Sequence, residues 1–446
     1  MKLHIALLAT SIAAVSATGL QAAPDFSQLG NSLTDTGAEK AGNADGSIPA
    51  YTGGLKTPPA GYQAGSGKYV DPFASEKPLL SVDAKNMAGY ADKLTEGTKA
   101  LMKQYPSFRI DVYPTHRTAW YPQYILDNTR QHASKASLND DGSNLTGAHA
   151  QIAFPIPQNG AQAIWNQLTR YASLAYESRI FAYNVDSNGS RSLSSAQLCN
   201  WQNPYWMQNA AEAGDVNRTA RCFYDGPSRR AGEALVYFDV LDQQKGRRAW
   251  QYLSGQRRVR LAPDLAFDTP NPSTAGVQTF DEIGMFNGSI ERYDWKLVGK
   301  KEMYVPYNAY RAAFQSSPEE LLGPQHVNPD RLRWELHRVW VVEAKLKPGK
   351  RHIYQQRRFY IDEDAWTVVA AESYDGNGAL YKTGYSMLSP LYDKGGVNSE
   401  ATVFYDLIGG NYSNNATPFA AGYLKLTEPL PKREFTAGAL TGAGVR

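Results

Sequence analysis

From Ala231 onward the chain repeats one pattern: apolar and polar residues alternate with a period of two, a short turn intervenes, and the alternation resumes. The segments are "ALVYFDVL", "RRAWQYL", "QRRVRLA", "YDWKLVGKKEMYV", "RLRWELHRVWVVEAKL", "RHIYQQRRFYID", "AWTVVAAESYD" and "ALYKTGYSML". A period of two sends successive side chains to opposite faces of a strand. Several of the segments are divided only by "SG", "KPGK", "DEDA" or "DGNG". Such connections are too short for a crossover, so neighbouring strands must pair antiparallel. The fold class is therefore mainly β (α+β), built on a large meandering antiparallel sheet.

One face of that sheet is strongly apolar. It carries Leu332, Trp334, Leu336, Trp340, Val342 and Ala344, and later strands add Ile353, Phe359, Ile361, Trp366 and Val368. A face of this kind needs cover, and a long sheet with few helices obtains it by curling into a barrel or half-barrel around them. The interior is then either a packed core or a ligand cavity, whose candidate lining is Trp250, Tyr252, Trp295, Leu297, Trp334, Leu336, Trp340, Val342, Phe359, Ile361 and Trp366. Helices are expected over Ala84–Tyr105, stopped by Pro106, and over "QNGAQAIWNQLTRYASLA", capped by Asn159.

The N-terminus sets the compartment. Lys2, the apolar run "LHIALLATSIAAVSATGL" and the small-residue site "QAAPDF" form a secretory signal over residues 1–23, cut near Ala22 or Ala23. No cysteine stands at the cut site, so the mature protein is expected in the periplasm without a lipid anchor. Residues 24–83 are rich in Gly, Pro, Ser, Asn and Asp and read as an extended arm. Residues 84–446 read as one domain. Its two cysteines, Cys199 and Cys222, fit a structural disulfide in an oxidising compartment, a closure of roughly 3 kcal/mol in the chain-entropy account. The loop they would tether, about 199–222, concentrates Trp201, Tyr205, Trp206 and Met207, which either pack inward or present Trp201 and Trp206 to a partner or lipid.

The stretch "SGQRRVRLAPDLAFDTP" packs three arginines into four positions. A formal charge of +3 over 446 residues is too small for a dedicated nucleic-acid binder. Read as the second arm of a hairpin turning at Ser254-Gly255, the stretch places Arg258 and Arg260 on one face, and Arg257, Val259 and Leu261 on the other. Arg258 and Arg260 form either a solvated or acid-paired face, or a rim contact for an anionic headgroup or a partner. By the same parity, Trp295 and Leu297 face away from Lys296 and Lys300, which read as a wet face.

Enzyme signatures are missing. There is no G-x-S-x-G elbow, no H-E-x-x-H, no Walker loop and no G-x-G-x-x-G after a strand. His116, His132, His149, His326, His337 and His352 stand singly, and Asp362 and Asp364 in "IDEDAW" fall in a turn, where solvated acids are expected. "LNDDGSNLTG" and "VDSNGSRS" do not complete a calcium loop. No metal and no cofactor are expected.

The motifs "LTDTGAEKAGNADGSIPAYTGGL", "DPFASEKPL", "YPSFRIDVYPTHRTAWYP", "FPIPQNGAQAIWNQLTRY", "GQRRVRLAPDLAFDTPNP", "FNGSIERYDWKLVGKKEMYVPYN" and "REFTAGALTGAGVR" resemble the exported bacterial family called domain of unknown function 1329. The resemblance spans nearly the whole mature chain. It implies the curved sheet with packed helices of the lipoprotein carriers LolA and LolB. It also implies work beside a transporter of the resistance-nodulation-division type and an outer-membrane protein. The expectation is a non-enzymatic periplasmic carrier or binding protein for a lipid-like or hydrophobic small molecule. An adaptor or assembly subunit of an envelope transport complex is the alternative, and a hydrolase of envelope lipids or polyesters the third. The missing anchor cysteine and the added arm set this chain apart from LolB and LolA.

Overall fold

The computed structural model describes residues 23–443 except 263, 264 and 266; the expected signal segment lies almost wholly outside them. Four short strands come first: β1 (Leu80–Val82), β2 (Ile110–Val112), β3 (Ser137–Leu138) and β4 (Leu145–Thr146). A first meander comprises β5 (Ala175–Val185), β6 (Arg191–Gln202), β7 (Val216–Gly226), β8 (Ala234–Val240), β9 (Arg248–Leu253) and β10 (Arg258–Leu261). A second comprises β11 (Tyr293–Pro306), β12 (Trp334–Leu346), β13 (Gln356–Asp362), β14 (Val368–Tyr374) and β15 (Leu380–Ser386). The small hairpin β16 (Ser389–Pro390) and β17 (Val397–Asn398) precedes β18 (Thr402–Asp406), β19 (Asn411–Thr417) and β20 (Tyr423–Leu426).

Sixteen of these strands form one sheet, because β15 pairs with β18, β18 with β19, and β19 with β5, which joins the two meanders. The pairings are antiparallel except for a single parallel contact of Val112 with Trp334. The sheet does not close: β11 ends it on one side and β10 on the other. The expected class, mainly β on a large antiparallel sheet with few helices, is the observed one, and of the barrel and half-barrel alternatives the closed barrel is not formed.

Both faces of this sheet are covered. On one lies helix α1 (Glu96–Gln104), whose Gly97 approaches Thr383 so closely that a Cβ would overlap it. The long helix expected from Ala84 is broken: Met87–Lys93 is a 3-10 stretch, and Thr95 caps a new helix by accepting from the Thr98 N–H at 3.0 Å. After α2 (Gln123–His132), helix α3 (Gly160–Leu168) covers the other face. Asn159 caps α3 as expected, and it stops at Leu168, where the Thr169 hydroxyl donates back to the Trp165 carbonyl. The remaining helices are short: α4 (Ala210–Ala213), α5 (Pro318–Leu321) and α6 (Ala437–Ala443).

The N-terminal segment also serves as cover. Ile48 and Tyr69 are buried in the main core, Tyr51 donates to the Ala119 carbonyl at 3.0 Å, and Tyr62 and Tyr69 both donate to Asp393. With cover on both sides, positions expected to be wet are dry. Asp362 and Asp364 are 0% and 4% exposed rather than solvated. Lys300 is not on a wet face either: a bulge at Val298 shifts the register, so Lys300 stands opposite Trp340, near its ring, and pairs with Glu363 at 2.8 Å. Lys296, before the bulge, stays exposed.

The expected disulfide is present, but it does not tether an inserted loop. Cys199 and Cys222 face each other on the adjacent strands β6 and β7. Sequence reading missed β5, β6 and β7 because polar residues such as Ser178, Ser195 and Gln197 stand at their buried positions, which blurs the apolar–polar period even where burial alternates, as from Tyr176 to Ala182.

Candidate functional site

The eleven residues expected to line one interior fall into three packed groups. Trp295, Leu297, Trp340, Val342, Phe359, Ile361 and Trp366 join Trp165 and Phe286 under α3. Trp334 and Leu336 lie at the β2 end of the same long strand and pack into the α1 core, where Trp334 meets Tyr385 edge-on. A twisted strand of this length meets different partners at its two ends. Trp250 and Tyr252 pack beneath α6 with Phe435 and Leu440. Val342, Phe359, Ile361 and Trp366 are all 0% exposed, so of the two alternatives the packed core holds at these positions, and the eleven side chains do not share one interior.

The filling comes from the connection between β10 and β11. Along it Met285, Phe286 and Ile290 are fully buried, and its backbone is held by side chains of the sheet and α3. Lys382 donates to the Val277 carbonyl at 2.5 Å, and the Gln167 amide donates to the carbonyls of Gly284 and Phe286 at 2.9 and 3.2 Å. Arg230 donates to Ser273 at 3.0 Å, and Arg357 pairs with Asp281 at 2.8 Å. A polar segment thus plugs the hollow of the sheet.

Beside this plug a cavity of about 380 Å³ remains open, within the range of about 300–1,000 Å³ common for small-molecule sites. Leu168 of α3, Val240 at the end of β8 and Phe267 of the plug supply apolar wall. The polar part of the lining is a linked group: Arg247 donates to Asp239 at 2.6 Å and to the Asn287 carbonyl at 2.7 Å, while the Asn287 amide donates to Asp239 at 3.0 Å. Gln243 ties the plug down by accepting from the Ile290 N–H at 3.0 Å. Glu291 also lines the cavity and has no ion-pair partner among the described residues. This mixed lining offers apolar contact to the body of a small ligand and polar groups to its polar end.

Sequence reading also missed four buried ionic clusters. Arg117 pairs with Asp364 at 2.7 Å and Glu363 at 3.3 Å. His337 lies between Glu335 at 3.1 Å and Asp362 at 3.5 Å, stacked on Tyr307. Burial pushes the Asp362 carboxyl up to about 7. Burial also disfavours charge on Asp281, but Arg357 and the hydrogen-bonded His352 outweigh it and hold that carboxyl below its usual range. Glu400 sits between Arg170 at 2.5 Å and Arg218 at 2.9 Å; the two guanidinium groups overcome burial and lower it to about 2. The signal was present: Glu335, His337 and Arg357 stand among apolar strand residues, which is unusual for a solvated face.

Among the remaining candidates, Trp201 is 6% and Trp206 1% exposed. Trp201 donates to Ser178 and Trp206 to the Thr169 carbonyl, so neither is a rim contact, and the inward alternative holds. Arg258 and Arg260 are exposed on β10 and share a face. Arg257 does not share the opposite face with Val259 and Leu261: it occupies the turn in the left-handed region, with φ 49°.

A family model described as a protein of unknown function, DUF1329, matches residues 81–441. The chain belongs to this family. A second DUF1329 protein, from Desulfovibrio piger, has a crystal structure that overlaps 60% of this chain and 92% of its own at 14% identity and a TM-score of 0.41. A LolA superfamily protein from Nitrosomonas europaea overlaps 63% and 98% at 12% identity and a TM-score of 0.38. In sequence, an uncharacterized protein of Pseudomonas aeruginosa is 40% identical over 422 residues, 92% of this chain and 91% of that one. Among the described residues no helix is long and apolar enough to cross a membrane.

Proposed function

We propose that this DUF1329 protein is a non-enzymatic periplasmic binding protein for one small lipid-like or hydrophobic ligand with a polar end, held in the cavity beside Arg247. The observation that carries this reading is the cavity itself: apolar at Leu168, Val240 and Phe267, polar at Asp239, Arg247 and Glu291. Burying the ligand's apolar body there contributes roughly 25 cal/mol per Å². The filled sheet argues against long acyl chains entering among Trp340, Phe359 and Trp366, so the ligand is compact. In this reading the protein passes its ligand between an inner-membrane transporter of the resistance-nodulation-division type and an outer-membrane protein. The test is extraction and mass spectrometry of the mature protein purified from its native host. A reproducible bound amphiphile, lost in Ser289→Trp, supports it; a protein that comes out empty and takes up no hydrophobic probe overturns it. The same filled core favours a second reading, an adaptor subunit that docks by its surface.

A further inference from the structure

The two ends of the large sheet are not alike. At the β11 end, α3 begins against the strand, with Gly160 so close that a Cβ would lie 2.8 Å from the Lys296 nitrogen. Asn43 of the N-terminal segment donates to Glu302, and the bulge at Val298 interrupts the ladder. This edge is blocked, as edges in soluble proteins commonly are. At the other end β10 pairs only with β9. Helix α6 packs Leu440 onto the face shared by β8, β9 and β10, against Val236, Tyr252 and Val259, and among the described residues no strand pairs with the outer edge of β10.

The backbone of that edge is available. Ala262 donates to the Ala249 carbonyl at 2.9 Å. In an antiparallel ladder this directs the backbone N–H and C=O groups of Arg258 and Arg260 toward β9, so those of Val259 and Leu261 point to the outer side. The side chains there have a definite chemistry. Leu261 is 59% exposed. Arg258 and Arg260 have no carboxylate partner among the described residues, whereas most arginines of the protein do. Pairing with a second copy of the same edge would set arginines against arginines, which is destabilising.

We infer that β10 is the docking edge for an extended acidic segment of a partner protein. That segment adds as one more strand through Val259 and Leu261, with its carboxylates on Arg258 and Arg260. This is strand addition, in which backbone hydrogen bonds supply affinity and side chains supply selectivity.

The probe is a fluorescein-labelled nine-residue peptide of alternating glutamate and valine, titrated into the full mature chain alongside vesicles of phosphatidylcholine and phosphatidylglycerol. Salt-sensitive peptide binding is expected, with slowed hydrogen exchange at the Val259 and Leu261 amides. Arg258→Gln with Arg260→Gln is expected to weaken it tenfold or more. Val259→Pro removes an outward N–H that the fold does not use but also alters a side chain packed against the α6 cluster, so it is expected to weaken the peptide equally, with a lowered unfolding midpoint and an unchanged circular dichroism spectrum. Wild-type affinity in Val259→Pro overturns strand addition. No peptide binding, or binding of the anionic vesicles alone, overturns the acidic partner. Ligand occupancy beside Arg247 is expected to be the same in all these variants, which keeps the two readings distinguishable.

Discussion

The indole N–H of Trp366 donates to the carbonyl of Thr36 at 2.7 Å, across 330 residues of sequence. Trp366 is 0% exposed and Thr36 4%, so a residue at the turn between β13 and β14 anchors the N-terminal segment in the middle of the molecule. Nearby, Glu39 accepts from Lys300 at 3.0 Å and Arg338 donates to the Ala41 carbonyl at 3.0 Å. The N-terminal segment is thereby part of the core's cover.

Trp366→Phe keeps most of the ring but leaves the Thr36 carbonyl buried without a donor. Such an orphaned group costs about 1–3 kcal/mol. Urea unfolding should show a loss of this size, and limited proteolysis should cut earlier within residues 24–79. An unchanged midpoint together with an unchanged cleavage rate would show that the segment is held elsewhere.

Glu400 holds two buried arginines, and its carboxyl lies near 2 in the folded protein against an ordinary 4.5. A lowered carboxylate contributes stability that is fully present above its unfolded value and is lost as pH falls through the folded one. Wild-type stability should therefore drop between about pH 4.5 and 2. Glu400→Gln strands Arg170 and Arg218 and should cost about 3–5 kcal/mol at neutral pH, with a shallower acid limb in pH-dependent urea titrations.

Asp362 gives the opposite sign. Its folded value near 7 lies above the ordinary 3.8 because burial opposes its charge. Its contribution is fully present below about pH 3.8 and is lost as pH rises through about 7. Asp362→Asn can still accept the Asp364 and Ala365 N–H groups. It should be more stable than wild type at pH 8, with the gap closing toward pH 4. A variant less stable at every pH would mean that the contact with His337 outweighs burial.

Removing the disulfide as Cys199→Ala with Cys222→Ala should cost about 2–4 kcal/mol, since the bond closes a separation of 23 residues. The β6 and β7 ladder already pairs the two positions, so the variant should remain folded in circular dichroism and melt earlier, as should wild type under reducing conditions.

The sequence by itself determined the strands from Ala234 to Ser386, their antiparallel order, the hairpin at Ser254 and the family. These follow from local period and turn length, and period two leaves little freedom in how such segments pair. Only the tertiary structure decided what lies on each face. Alternation reports that a strand has two unlike sides, but it cannot say that α1, α3, the N-terminal segment and the plug at Met285 and Phe286 cover both. Once they do, a charged residue on either face must find a partner far away in sequence, as Arg357 on the face of Phe359 finds Asp281 and Lys300 finds Glu39. The first pairing depends on how the plug seats on the sheet and the second on the Val298 bulge, neither of which a short window of sequence reveals. For the same reason the eleven apolar candidates look like one interior in the sequence but divide among three cores. The opening beside Arg247 is built from Leu168, Asp239 and Phe267, residues with no common pattern along the chain.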